Sequence, residues 1–395
     1  MKTDSKTMRL AVIVSHPIQY YVPLYRRLAK RSDLDVKVFF TWHAADGAQQ
    51  DHGFKREVRW DIPLTEGYEY ELMANVARAP GTHHFWGLRN PDLIKRVTEW
   101  KPDAVHVTGY ALASHLHAMR HFHGKGVPIL FRGDSHLLDQ KSGIGWQLKR
   151  FLLRHLYARV RACLYVGKNN YEYYRRFGVP DSRLFYCPHS IEVERFAEPS
   201  QEYEQQARSW RRELEIGEQQ CVALFAGKFE AKKRPLDLMK AFADLREPGL
   251  VLILVGNGPL EREVSEMAAS YPRLFRVLPF QNQSRMPIVY RLADVFVLPS
   301  AYNETWGLSV NEAISCGRPV LISDKVGCGA DVVDDERLGA IFRDFTACDL
   351  GARLREVLAR QVDHQFLLGK ARHFDIAETE RTLLNTLWKV RELPH

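Results

Sequence analysis

Short, β-branched apolar runs alternate with helix-length amphipathic segments along almost the whole chain, and this pattern constrains the fold more than any other feature. RLAVIVS (9–15), DVKVFF (35–40), AVHVTG (104–109), PILFRG (128–133) and ACLYVG (162–167) are strand-length and bounded by turns, and SRLFYCPH (182–189) closes that half. Helical patterns lie between them, at Val22–Lys30, PDLIKRVTEW, 111–123, 146–161 and 169–177. Strands that are apolar on both faces predict a parallel sheet covered by helices on each side. Residues 194–216 are polar and helical, and we read them as a linker and the first helix of a second unit. Then CVALFAG (221–227), LVLILVG (250–256), LFRVLPF (274–280), DVFVLPS (294–300) and RPVLIS (318–323) give five more strands with helices between. The expected fold class is α/β: two doubly wound, Rossmann-like domains, the first over 1–195 and the second over 196–373. No sequence repeat relates the halves.

A length of 395 residues exceeds what one core usually supports, which agrees with two domains. No apolar run approaches the roughly 20 residues of a spanning helix. The opening residues MKTDSKTMRL are polar, and the apolar run after them contains His16 and Pro17, so no signal peptide is expected. Six scattered cysteines without a C-x-x-C pair read as reduced thiols of a cytoplasmic protein.

Charge divides the chain. Residues 1–190 carry 29 Lys and Arg against 17 Asp and Glu, a net of +12; the remainder carries 27 against 31, a net of -4. Opposite fields suggest different ligands, with the basic half facing something anionic.

In such sheets ligands bind beyond the carboxyl ends of strands, so the strand-end loops are where chemistry is sought. FAGKFEAKKRPLDL ends a strand at Gly227, follows with Lys228, and delivers Lys232, Lys233 and Arg234 before Pro235 opens a helix. Cations beside helix amides make an anion site suited to a diphosphate, although a solvated basic loop would read the same way. In SAYNETWGLSVNEAISCGRPV, Glu304 sits in the loop after a strand, Gly307 permits a close turn, and Glu312 lies one turn inside a helix from about Leu308. Carboxylates there can accept hydrogen bonds from sugar hydroxyls; a first-turn Glu and a surface Glu are the plain alternative. LVGNGPLERE adds Gly256, Asn257 and Gly258, a turn that allows close backbone approach to a nucleotide, so these three and Gly227 are expected to bind the donor, although such a turn is also ordinary before a helix.

Taken together and in this order, these three stretches resemble the retaining family 4 glycosyltransferases of the GT-B fold. The resemblance is specific over 221–325 and looser in the first half, where PHSIEVERF (188–196) is similar to the family's interdomain segment. FDIAETERTLLNTLW is similar to its last helix, so residues 374–395 are expected to return to the N-terminal domain. The resemblance implies two domains facing across a cleft, acceptor in the first and nucleotide-sugar in the second. It implies that Lys228 and Lys233 neutralise the leaving diphosphate, that Glu312 holds the ribose, and that Glu304 holds the transferred sugar. The amides of Thr305, Trp306, Gly307 and Leu308 would cup the distal phosphate. The family's Gly-Gly turn after the first strand is replaced by SHPIQYY, so His16, Gln19 and Tyr20 are expected to supply side-chain contacts instead. Arg132, Asp134, Ser135 and His136, in FRGDSH, stand where related enzymes place an acceptor- or sugar-facing group; N-capping by Asp134 or Ser135 is the alternative.

Other signals carry less. His115, His117, His121 and His123 cluster, but no nearby Cys or acid completes a zinc set. Asp33-Leu34-Asp35 is a D-x-D placed between helix and strand, where a polar turn explains it. Residues 140–171 hold seven Lys or Arg and no acid; the helix over 146–161 reads either as an interfacial cationic helix or as a sheet cover with a basic outer face.

The expectation is a cytoplasmic, metal-independent, retaining hexosyltransferase, peripheral at the inner face of a membrane. It would move a sugar from a UDP- or GDP-sugar to a glycan or lipid-linked acceptor in glycan, exopolysaccharide or glycolipid biosynthesis. No cofactor, metal or nucleic-acid partner is expected. A nucleotide-sugar epimerase of the same fold and a non-catalytic polyanion-binding protein are the alternatives.

Overall fold

In a computed structural model, residues 7–42, 49–51, 56–58, 60–139 and 143–392 are described. The polar opening residues 1–6 lie outside them, as does Lys141 of the acid-free stretch. The chain divides into two compact units: 1–47, 63–189 and 376–395 form one, and 48–62 with 190–375 form the other.

The strands of the first half, in chain order, are β1 (Met8–Val14), β2 (Leu34–Phe40), a short antiparallel ribbon of β3 (Gln49–Asp51) and β4 (Arg56–Val58), β5 (Glu69–Leu72), β6 (Ala104–Thr108), β7 (Ile129–Arg132), β8 (Ala162–Tyr165) and β9 (Leu184–Tyr186). Among the described residues the first unit carries a parallel sheet of order β5-β2-β1-β6-β7-β8-β9. β5 goes beyond the sequence expectation: EYEL has no apolar run, because it is an edge strand with exposed faces. One face of the sheet packs Ile13, Val107 and Phe131 beneath α3 (Ala113–Gly124) and α4 (Ile144–Ala158), to number the helices α1 (Val22–Ala29), α2 (Leu93–Trp100), α3, α4 and α5 (Lys168–Arg176) in order. The other face packs Leu10, Val12 and Leu164 against α1 and the C-terminal helix, Ile376–Glu392. Ile376, Leu383, Leu384, Leu387 and Val390 of that helix are part of this core. Thr379 donates to the Pro188 carbonyl at 3.0 Å, and Arg27 of α1 pairs with Glu380 at 2.6 Å.

The second unit opens with α6 (Val193–Ala197) and α7 (Ser200–Glu213) and continues as β10 (Cys221–Ala226), α8 (Pro235–Leu245), β11 (Leu250–Val255), α9 (Glu261–Ser270), β12 (Phe275–Leu278), α10 (Met286–Arg291), β13 (Val295–Leu298), α11 (Leu308–Ser315), β14 (Val320–Ser323) and β15 (Gly339–Phe342). Its sheet is parallel throughout, in the order β12-β11-β10-β13-β14-β15. β15 is likewise additional, a four-residue strand whose Ile341 is exposed. Arg291, almost fully buried, is held with Arg318 by Glu204, which ties α7 to the body of the unit.

Both sheets reverse their direction of growth once. In the second unit the reversal lies between β10 and β13; in the first, between β1 and β6. Loops leaving adjacent strands there diverge to opposite faces and open a crevice, the ordinary binding place of such sheets.

Candidate active site

In the second unit, β11, β10 and β13 are neighbours, so their carboxyl-end loops must meet. They interlock through the backbone. The Phe229 N–H donates to the Asn257 carbonyl at 2.8 Å, and that of Leu260 to the Phe229 carbonyl at 2.9 Å. Ala301 N–H donates to the Lys232 carbonyl at 2.8 Å, which joins the basic loop to the loop after β13.

On this frame Lys233 and Glu304, 71 residues apart, form a direct ion pair. Both are largely buried, with side-chain exposures of 18% and 13%. The same Glu304 oxygen accepts the Ser300 hydroxyl at 2.6 Å. Ser300 is in turn fixed by the Ser323 hydroxyl, which donates to its carbonyl. Ser300 and Ser323 are site residues that sequence reasoning missed, although both stand at strand ends where chemistry was sought. Lys228 lies half-buried at the start of the basic loop, next to Gly227. Lys232 is turned to Glu230 at 3.3 Å, while Arg234 lies over the Phe345 ring and bonds Asp237. The basic loop is therefore not uniformly solvated.

Glu304 is also tied from its other side. It forms a bridge with Val326, and its carbonyl accepts from Gly327 N–H at 2.9 Å. A Cβ on Gly327 would stand 1.9 Å from the Thr305 carbonyl oxygen, so only glycine permits this closure. Gly307 (φ +97°) turns the chain into α11. Trp306 is buried, with its indole N–H on the Asn311 side chain at 3.1 Å. Thr305 and Leu308 remain half-buried on either side of it.

Glu312 is buried in α11, and its carboxylate accepts the Tyr290 hydroxyl at 2.6 Å. Glu304 and Glu312 thus differ in their surroundings: the first is an ion-paired group in a loop, the second a group inside the unit. Nothing in the sequence around Tyr290 points to it. The glycines of the GNGP turn also serve the fold. A Cβ on Gly256 would fall 2.0 Å from the Gly227 carbonyl oxygen, and one on Gly258 would fall 2.6 Å from that of Phe229. The close approach they permit is to the neighbouring loop. Asn257 is buried, and its side-chain oxygen has no protein hydrogen-bond partner among the described residues.

In the first unit, His16 follows β1 at the reversal point, its ring nitrogen 2.9 Å from the Ser15 hydroxyl and its edge on Trp42. Gln19 and Tyr20 are half-buried in the turn before α1. Two residues of FRGDSH are buried. Arg132 does not face outward: it is buried, donates to Cys187 Sγ at 3.0 Å and to the Pro188 carbonyl at 2.9 Å, and lies over the Tyr21 ring. Burial alone would lower its pKa, but the surrounding Cys187, Tyr21 and Asp134 hold it above the usual value. His136 is buried too, accepting the Leu138 N–H. Asp134 stays half-exposed, 3.7 Å from His189, whose pKa is lowered by burial. The Ser135 carbonyl accepts from Asn170 at 2.7 Å. No helix starts at 134–135, so neither residue is an N-cap.

Among the described residues no group of three or more His, Cys, Asp or Glu is placed to hold a metal ion. Within the histidine cluster, His115 is wholly buried between Thr41 and the Thr108 carbonyl, and burial pushes its pKa down to about 4. Asp33 is bound by Arg31 at 2.8 Å, as a polar turn requires.

Residues 206–373 match the family described as Glycosyl transferases group 1, and residues 66–195 match Glycosyltransferase Family 4; between them they take in most of the chain. A D-inositol 3-phosphate glycosyltransferase of Salinispora tropica is 32% identical over 173 residues, 40% of this chain and 36% of that protein. The putative glycosyltransferase EpsF of Bacillus subtilis is 30% identical over 209 residues, 51% of this chain and 52% of its own length. The matched regions thus span about half or less of these curated relatives. Among solved structures, a glycosyltransferase from Rickettsia africae aligns with a TM-score of 0.73 at 12% identity, over 98% of this chain and all of that one. Anabaena HepE in complex with UDP and glucose aligns with a TM-score of 0.69 at 14% identity, over 97% of this chain and all of that one. With two Rossmann-like parallel sheets of the GT-B type, the chain belongs to the family 4 glycosyltransferases.

Proposed function

We propose that the chain is a retaining hexosyltransferase that moves a sugar from a nucleoside-diphosphate-sugar to an acceptor hydroxyl in glycan, exopolysaccharide or glycolipid assembly. The observation that carries this is the Lys233–Glu304 pair at the reversal point of the second sheet, braced by Ser300, with half-buried Lys228 at the start of the same basic loop. The lysine is neutralised by the carboxylate. A diphosphate arriving at the loop offers Lys233 a stronger anionic partner and lets the Glu304 carboxylate accept sugar hydroxyls in its place. Lys228 and the first amides of α11 add positive potential where the leaving diphosphate develops charge. Two lysines and helix amides supply the neutralisation a divalent ion would otherwise give. HepE is seen in complex with UDP and glucose, and the catalytic domain of an Arabidopsis starch synthase is seen bound to ADP; both favour a nucleotide-sugar donor here.

The test is turnover of a panel of UDP-, GDP- and ADP-sugars, with and without acceptor glycans, in excess EDTA. One donor is expected to be turned over at a rate EDTA leaves unchanged, with the anomeric configuration retained in the product. Lys228→Ala and Lys233→Ala should each slow it on the order of 100-fold. Normal turnover by both variants would remove the diphosphate assignment, and loss on EDTA with rescue by manganese would remove metal independence.

A further inference from the structure

Residues 48–62 stand between β2 and β5 in sequence, yet they are part of the second unit. They carry the β3–β4 ribbon and, after it, Trp60 and Asp61, which lie against the loop that joins β12 to α10. The Trp60 ring meets Phe280 edge to face, with centroids 6.3 Å apart. The Asp61 carboxylate accepts two bonds from Ser284, one from its backbone N–H at 3.1 Å and one from its hydroxyl. Asp61 is exposed, so these bonds add little to the stability of the unit. What they fix is the place of the loop.

That loop joins the candidate site at both of its ends. Where it leaves β12, the Leu278 carbonyl accepts the Gly256 N–H at 3.1 Å, so it abuts the GNGP turn. In between, Gln283 is buried and accepts from Arg195 of α6 at 2.8 Å. Where the loop ends, Ser284 directly precedes Arg285, the N-cap of α10, and Tyr290 of that helix donates to Glu312 at 2.6 Å. Every residue of α10 is buried, and its far end is fixed by Arg291, which donates to the Ala197 carbonyl at 3.1 Å. Ser284 and Tyr290 are about 9 Å apart along the helix axis, and a single short helix between them moves as one piece. A shift at Ser284 therefore reaches the Tyr290 hydroxyl, and a hydrogen bond weakens steeply when its donor is misaligned.

We infer that Trp60 and Asp61 are positioning residues for the nucleotide: they clamp the start of α10, and so hold Tyr290 and, through it, the Glu312 carboxylate in the orientation that receives the donor. The inference rests on the proposed role of Glu312 in holding the ribose. Neither residue touches the ligand in this scheme; both act through the helix.

Calorimetry with UDP, GDP and ADP on the full-length protein tests it, using the nucleotide that wild type binds. Asp61→Ala is expected to weaken that binding about five-fold, the size of effect that remote positioning residues have. Asp61→Asn keeps an acceptor oxygen and should recover most of the loss, and both variants should melt like wild type. A double-mutant cycle with Tyr290→Phe, which cuts the link between α10 and Glu312 while keeping the ring, then separates positioning from support of the fold. In the Tyr290→Phe background, Asp61→Ala should weaken binding no further. A residue that touched the nucleotide itself, or only supported the fold, would add its full effect there. The proposal is overturned if Asp61→Ala binds as tightly as wild type, if Asp61→Asn is as weak as Asp61→Ala, or if the effects of Asp61→Ala and Tyr290→Phe add in full. Failure of the underlying reading looks different. Wild type would then bind none of the three nucleotides, or Glu312→Gln would bind as wild type does, and either result overturns the inference together with the ribose assignment.

Discussion

Lys233 and Glu304 meet only because two strands distant in sequence are adjacent in the sheet, and Glu312 shows what such placement does to an ionisable group. Its carboxylate is buried and accepts the Tyr290 hydroxyl, so it contributes to folding as well as to any ligand. Glu312→Ala removes the acceptor and should destabilise the protein by about 1–3 kcal/mol, read by urea unfolding. Glu312→Gln keeps an acceptor oxygen and should recover most of that loss. The two variants separate structure from function. If the carboxylate holds the ribose, both should weaken nucleotide binding by about 1.5–3 kcal/mol in calorimetry. Unaltered affinity in Glu312→Gln would leave Glu312 a purely structural residue. The positions of Lys233 and Glu304 beyond strands, and of Glu312 inside the helix that follows, are legible in sequence because strand ends are legible. Their partners Ser300, Ser323 and Tyr290 are not, because a hydroxyl's orientation is set by tertiary packing rather than by local pattern.

Elements with continuous β-branched runs, such as LVLILV and RLAVIV, can be read almost to their ends, since burial on both faces leaves no other composition possible. EYEL and GAIF escape notice because edge strands need no such run. The usual rule for a soluble helix turns the apolar residues of α4 inward, yet three of them lie outward. The GNGP turn after β11 signals a close approach, and the structure shows one within the protein itself. Its glycines let the loop after β11 touch the loop after β10. Gly256→Ala would drive a Cβ to 2.0 Å from a backbone oxygen at a φ of +152°, and should cost about 3 kcal/mol. Gly124→Ala, at the end of α3 with nothing within 4 Å, should change stability by only about 1 kcal/mol or less. Equal melting temperatures for the two variants would show that the interlock of these loops is not rigid.

Across the full length of the protein, the first unit is built from both ends of the described chain. Five apolar side chains of the C-terminal helix complete the face of its sheet that carries Leu10 and Val12. At about 1.5–3 kcal/mol each, their burial is worth on the order of 10 kcal/mol, comparable with the whole net stability of a domain. A chain ending at Asp375 should therefore lose the cooperative unfolding of its first unit, seen as a missing urea transition in tryptophan fluorescence. A full-length transition in that truncation would show the helix to be dispensable. The same connectivity bears on how the protein is made. As the ribosome finishes residue 189, the first sheet has all its strands, but one of its faces is covered by α1 alone. At about 5–20 residues per second, the nascent chain then spends about 10–40 s producing residues 190–375 before the covering helix exists. During that interval the second unit can close on its own while the first cannot. The unfinished face is where a chaperone would bind, and an interrupted translation product would be recognised there as incomplete.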